Sequence, residues 1–296
     1  MSNDAANDRT ALQVLINDLY ARELNDLGDA GTYKLLDEAR RWDVSSTLTD
    51  GGVVCFGHVG VADCGVHAAA AVNACLDTGA DTVLAISVLH AFTAEMDNAR
   101  QAVTAGGNPS DHETWGIQGP GLDFRTEWQG DHAFRILRHF WDAETRRQGI
   151  TDRRLVERYP FLAGTQPAEL PNYDEVASIA ADAVIVATAD QFHHGIGHGT
   201  PSHEALDPEP DGVKAAWASL EAGFEHIERR DYAGYEQHCL RAKSDDRDCV
   251  QLFSELRGPL RGKVLDVAYT DSTELYEQPA PTWAAGGFIT FDPVPR

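Results

Sequence analysis

Three short runs of the sequence are almost unbroken in their apolar character: Val53-Val54-Cys55-Phe56, Thr82 to Val88, and Ala183-Val184-Ile185-Val186-Ala187-Thr188. A strand with one wet face alternates polar and apolar residues, so continuous runs of this length belong to strands covered on both faces. An Ala-rich helical stretch, Ala68 to Leu76, separates the first two runs and makes them a right-handed βαβ unit. The expected fold is therefore a single-domain α/β/α sandwich around a central mixed, largely parallel sheet.

Around these strands the spacing predicts mainly helices. Leu12, Leu15, Ile16, Leu19 and Tyr20 recur at helical intervals within Thr10 to Arg41, and a second helix is expected over Tyr33 to Trp42, both as packing elements. Further helices are expected over His132 to Glu144, Glu175 to Ala181, Val213 to about Leu240, and Val250 to Leu256. Tyr159 to Leu162, Val264 to Tyr269 and Gly287 to Phe291 read as strands. Gly106 to Gly130 has no sustained period and reads as a long irregular connection. Residues 1–50 are expected to form a helical extension packed on the core, and residues 51–296 the α/β domain itself.

Charge narrows the partners. The chain carries 24 Lys and Arg against 47 Asp and Glu, a formal charge of −23, and such a surface repels phosphate backbones and anionic headgroups. Nucleic acid and membrane are accordingly not expected as partners. Five cysteines with no CxxC pair argue against a disulfide framework or a thiolate zinc knot. The N-terminal ten residues are polar and acidic, and no apolar run approaches bilayer length, so a cytoplasmic location is expected.

The chemistry gathers where the apolar runs end. Val53 to Phe56 leads into Gly57-His58, Thr82 to Leu89 into His90, and Ala183 to Ala189 into Asp190, with His193 three residues on. In an open α/β sheet the carboxyl ends of the strands converge on one rim, so residues far apart in sequence can meet there. Two imidazoles and a carboxylate with open positions are the set used by non-haem Fe(II) oxygenases, and the same donors in a tetrahedral setting suit catalytic zinc. The polar segment Lys243-Ser244-Asp245-Asp246-Arg247-Asp248-Cys249 either caps the following helix or supplies a further donor, Asp245 or Asp246. His194 and His198 either line a pocket mouth or decorate a Gly-rich loop. His67 reads as packing or surface, and His112, His139, His203 and His226 as solvated. Arg125, Trp115 and Trp128, in the irregular middle segment, are candidates to clamp an anionic aromatic ligand.

Gly57-His58-Val59-Gly60 with Asp63-Cys64-Gly65, the strand ending Ile86-Ser87-Val88-Leu89-His90, and Thr188-Ala189-Asp190-Gln191-Phe192-His193-His194-Gly195 together resemble the MEMO family. Asp131-His132, Tyr269 to Ser272 and Trp283-Ala284-Ala285-Gly286 are similar to further segments of that family, so the likeness runs from about Val53 to Phe291. MEMO proteins are related in fold to the class III extradiol dioxygenases, the LigB-like group, whose iron is held by two His and a carboxylate. The resemblance implies His58 and His90 as metal ligands, His193 as an acid/base residue, and Asp190 as an additional ligand or a residue behind the ligands. His132 and His194, with Arg125, are assigned to substrate. Departures accompany the likeness: where the family has a metal-associated Cys this chain has Lys243 to Arg247, Arg135 replaces a Glu, and the first fifty residues do not follow the pattern.

The resulting expectation is a dioxygenase that uses Fe(II), or zinc or another divalent metal in its place, to act on a small catechol-like or aminophenol-like aromatic with O2. The alternatives are a MEMO-like metal- or peptide-binding redox adaptor and a zinc-dependent hydrolase. A homodimer is compatible with the resemblance.

Overall fold

The computed structural model describes residues 3–295, with side chains from residue 11 onward, so part of the polar N-terminal tail lies outside the described residues. Strands β1 (Val53–Phe56), β2 (Thr82–Ser87), β4 (Arg154–Phe161) and β5 (Val184–Thr188) run parallel in the order β4-β2-β5-β1. Strand β3 (Gly116–Gln118) closes one edge antiparallel to β4. On the other side β8 (Thr282–Pro293) runs antiparallel to β1, and β7 (Leu260–Asp271) pairs along almost all of it. Since β7 occupies one edge of β8, β1 and β6 (Phe192–Gly195) share the other, β6 pairing with Thr282 to Ala285. The sheet is thus mixed and mostly parallel, as the apolar runs required.

Alternation along the strands explains those runs. Val54, Phe56, Val83, Ala85 and Val186 point into one core, beneath α1 (Asn3–Glu38), α3 (Val61–Asp77) and α5 (Arg135–Gln148). Val53, Cys55, Leu84, Ile86 and Ile185 point into the other, beneath α6 (Tyr173–Ala180), α7 (Val213–Arg229), α8 (Tyr232–Ala242) and α9 (Arg247–Arg257). Every residue of β1, β2 and β5 is buried whichever way it points, so an unpaired polar side chain there is costly.

Several boundaries differ from the expectation, each for a local reason. The N-terminal region, α1, is two helical stretches that meet at Gly28, so the second begins earlier than Tyr33; the φ of 57° and extended ψ at Gly28 break the helix, and that φ is one glycine adopts without a Cβ penalty. The single long helix expected over Val213 to Leu240 is broken instead. Arg230 takes φ 55° and the Asp231 side chain accepts from the Gly234 amide, capping a new helix. Strand β4 starts five residues earlier than the apolar pattern suggested, because its charged residues are paired: Glu157 with Arg138, and Arg158 with Glu175 at 2.7 Å. Helix α4 (Ala94–Thr104), absent from the expectation, starts at Thr93, whose side chain accepts from the Met96 amide at 3.2 Å. A short helix, α2 (Ser45–Thr49), precedes β1.

Candidate metal centre

His58 follows β1, His90 follows β2 and Asp190 follows β5, so all three stand at the carboxyl rim of the parallel strands. Two further segments reach the same rim: Asp131-His132, just before α5, and Asp245, in the turn between α8 and α9. Backbone bonds hold the pieces in register. The Asp190 amide donates to Asp245 Oδ1 at 2.7 Å, the Asp245 amide returns a bond to the Asp190 carbonyl at 3.2 Å, and the His58 amide donates to Asp190 Oδ1 at 2.8 Å. Each carboxylate therefore spends one oxygen on the scaffold and keeps the other, Oδ2, for the site.

Two sets of potential ligand atoms lie within 4.8 Å of one another, His58 with His90 and His132, and His58 with Asp190 and Asp245. His58 belongs to both. Its ring is fully buried, Nδ1 meets Thr188 Oγ1 at 3.0 Å, and Nε2 has no hydrogen-bond partner. That orphaned nitrogen lies 3.8 Å from Asp190 Oδ2 and 3.9 Å from Asp245 Oδ2. A buried polar atom without a partner costs free energy, and a cation between it and the two oxygens would satisfy all three. Asp245 Oδ2 also stands 3.4 Å from His90 Nε2. The donor set thus fits a divalent metal.

Behind His90 the Asp131 carboxylate, 4% exposed, meets Nδ1 at 3.1 Å through both oxygens and also accepts from the His90 and Ala133 amides. Burial alone would lower the His90 pKa; Asp131 and Asp245 overturn that and raise it to about 10. A carboxylate fixing the far nitrogen of a ligating imidazole is the usual support of a metal-bound His, and its loss typically costs about 10- to 100-fold in metal affinity. Asp131→Asn is expected to lower divalent-metal affinity within that range, as read by calorimetric titration. His132, by contrast, is held neutral: burial, then the neighbouring His90 charge, lower its pKa.

Glycine makes the rim possible. A Cβ on Gly57 would sit 2.5 Å from the Gly286 Cα and 3.3 Å from Asp190 Oδ1, and a Cβ on Gly286 would meet the Gly57 Cα in turn. Gly57→Ala must therefore part β1 from β8 and displace Asp190. We expect a stability loss of about 1–3 kcal/mol or more in urea unfolding, together with weakened metal binding.

A cavity of about 220 Å³ opens above the cluster. Its floor is His90, His132, Asp190, His193 and Asp245; its walls include Leu12, Ile16, Leu19 and Tyr20 of α1, with Phe92, Leu275 and Tyr276. His193 Nδ1 donates to the Lys243 carbonyl at 2.8 Å, which leaves Nε2 as the ring's acceptor in the neutral form. The Tyr20 hydroxyl donates to the His58 carbonyl, tying α1 to the rim. Burial, with Asp190 and Asp245 close by, pushes the Tyr276 phenol up to about 12, so it remains a donor.

Not every residue assigned to the site from sequence reaches it. Asp246 turns the opposite way and accepts from Tyr235 Oη, Cys239 Sγ and Ser244 Oγ at 2.8, 3.2 and 2.6 Å. Burial raises its pKa to about 6, those donors opposing the rise, and it serves the α8–α9 interface while Asp245 alone faces the rim. Arg125 does not line the cavity: Glu95 and Glu127 hold its guanidinium on the surface, so it is no clamp for an anionic substrate. Trp128 stacks on Tyr159 and Trp115 packs against the core. His194 lies flat on Phe192 and accepts from the Leu206 amide at 3.0 Å, outside the cavity. All five cysteines are buried and free.

Asp131, Thr188, Tyr20 and Tyr276 went unassigned in the sequence. Asp131 had a usable signal, an acid directly before a His that already drew notice; Tyr20 and Tyr276 had none, one reading as helix packing and the other lying in an irregular segment. Among the described residues no helix is long and apolar enough to cross a membrane. No protein-family model matches the sequence, and no curated protein matches it closely.

Proposed function

We propose that the chain is a non-haem Fe(II) dioxygenase that opens the ring of a small catechol- or aminophenol-like aromatic, with His58, His90 and Asp245 as the metal ligands. The unpartnered, fully buried His58 Nε2 facing two carboxylate oxygens carries this reading. The resemblance of the strand-end motifs to the MEMO family, itself related in fold to the LigB-like dioxygenases, supports it. Bound iron supplies a chelation point for adjacent substrate oxygens and redox chemistry with O2. Both oxygen atoms of O2 end in the opened product, so no external reductant is needed.

The protein's own groups bind, orient and move protons. His193 is placed to accept a substrate hydroxyl proton at Nε2, its Nδ1 being committed to the Lys243 carbonyl. Tyr276 offers a hydroxyl donor from the wall, and Asp190 backs the centre while positioning the His58 amide. Leu12, Ile16 and Phe92 exclude water above the floor. Protein loaded anaerobically with Fe(II) is expected to consume O2 with at least one member of a catechol and aminophenol panel, and His193→Ala to lose most of that activity while retaining metal. Absence of any O2 consumption across the panel would defeat the proposal.

The set of three imidazoles, His58, His90 and His132, favours a second reading, a zinc hydrolase, because three His with an open position is a known catalytic zinc arrangement. Protein isolated without added metal that carries stoichiometric zinc and cleaves esters or amides would select it.

A further inference from the structure

Beside the cavity over the metal-facing floor lies a second, more open one of about 740 Å³, and Leu12, Leu275 and Tyr276 line both. The outer cavity reaches the surface beside Leu15, which is 40% exposed on the same helix. A polar floor thus leads outward along an apolar wall. The carboxylates along this path are Asp190 and Asp245 on the floor and Glu277 at the mouth, while His90 on the floor is already paired with Asp131 and Asp245. Among the described residues no Lys or Arg lines either cavity. Arg125 is held elsewhere by Glu95 and Glu127, and Lys243 turns its Nζ to Thr200 Oγ1 at 2.9 Å. Two carboxylates on the floor already balance a divalent cation, and a chain with formal charge −23 draws cations and neutral molecules in preference to anions. A carboxylate pressed against Leu12 and Leu275 would lose hydration with no partner to replace it.

We propose that the site takes an amphiphilic ligand without negative charge, its polar head on the His90, Asp190 and Asp245 floor and its apolar tail along Leu12, Leu275 and Tyr276 toward the mouth. The identity of the head as a metal-chelating aromatic rests on the function proposed above. The tail and the charge preference do not, so they can be tested without metal.

Calorimetric titration of the metal-free protein with butyl-, hexyl- and octylammonium, and with octanoate, is the deciding experiment. Affinity is expected to rise about three- to fourfold per added methylene, the gain for burying one CH2. Octanoate is expected to bind at least tenfold more weakly than octylammonium. Leu275→Asp should cut the affinity for octylammonium at least tenfold, whereas Leu275→Met should retain it. No dependence on chain length in the metal-free series, or octanoate binding as tightly as octylammonium, would overturn the proposal. A parallel titration with Fe(II) alone, followed by 4-methylcatechol, 4-hexylcatechol and 3,4-dihydroxybenzoate, judges the metal reading separately. Failure of Fe(II) to bind removes the proposed function and leaves the tail result standing.

Discussion

Replacing His58 by alanine is expected to abolish tight binding of divalent metal while leaving the protein folded. His58 is the one residue common to both groups of potential ligands, and its Nε2 has no partner within the protein. Removing it takes away a ligand rather than a ligand's support, so the loss in affinity should exceed the roughly 100-fold ceiling typical of supporting residues. The fold should survive because the ring gives up only one side-chain bond, to Thr188, along with its packing. That is about 1–3 kcal/mol, affordable within the roughly 5–15 kcal/mol of a typical domain. His67→Ala provides the control. This ring is equally deep at 2% exposed, stacks on Phe288 and bonds Asp266 at 3.2 Å, but touches no rim residue. It should lower stability and leave metal affinity unchanged. Acid should weaken metal binding, since a ligating imidazole must be neutral and the metal competes with its proton. Equal metal affinity in His58→Ala and the parent protein would refute the centre.

The site was legible where its residues continue a strand and hidden where they do not. Unbroken apolar runs announce strands covered on both faces, and the first polar residues beyond such a run stand at the rim, which is why His58, His90 and Asp190 are legible in the sequence; His58 lies close to His90 in one group of potential ligands and to Asp190 in the other. Asp245 and Asp246 are neighbours in an irregular turn, where nothing in composition tells which carboxyl faces which way. The backbone decides: Asp245 exchanges bonds with Asp190, and Asp246 drops into the polar contacts of Tyr235 and Cys239. Arg125 shows the converse error. It looked available because Glu95, 30 residues earlier, is invisible as a partner until α4 forms. The same pairing of charges concealed the start of β4, whose Glu157 and Arg158 spoil an apolar pattern without spoiling burial. The wall of the cavity was misread for a different reason. Leu12, Ile16 and Leu19 have the spacing of any packed helix face, and helical periodicity does not tell a face on a core from a face on a ligand pocket.

The largest loss of stability from a single side chain is expected at Asp248, away from the metal site. Its carboxylate is 2% exposed and joins three elements: it heads α9, receives Arg100 Nη2 of α4 at 2.7 Å, and receives the Ala163 amide after β4 at 2.8 Å. Arg100 in turn lies over the Phe161 ring, and Arg247 is close enough that its own pKa is lowered, by burial first and then by the Arg100 charge. Asp248→Ala therefore removes the hydrogen-bonded partner of a largely buried guanidinium beside a second one, leaving only the neighbouring Glu236 to offset them, and strands a backbone amide. Breaking a buried pair in this way costs about 3–5 kcal/mol, a large share of the stability of a typical domain. Asp248→Asn keeps an acceptor for the Ala163 amide and gives up only the charge, so its cost should fall nearer the roughly 1.5–3 kcal/mol of a charged hydrogen bond. Urea unfolding of metal-free protein separates the two, and metal-free conditions matter because a bound cation would stabilise the parent protein and both variants. If Asp248→Ala lost less than about 1 kcal/mol, the pair would have to be a solvated surface contact, contrary to the burial that places α9, and with it the Asp245 turn, against the sheet.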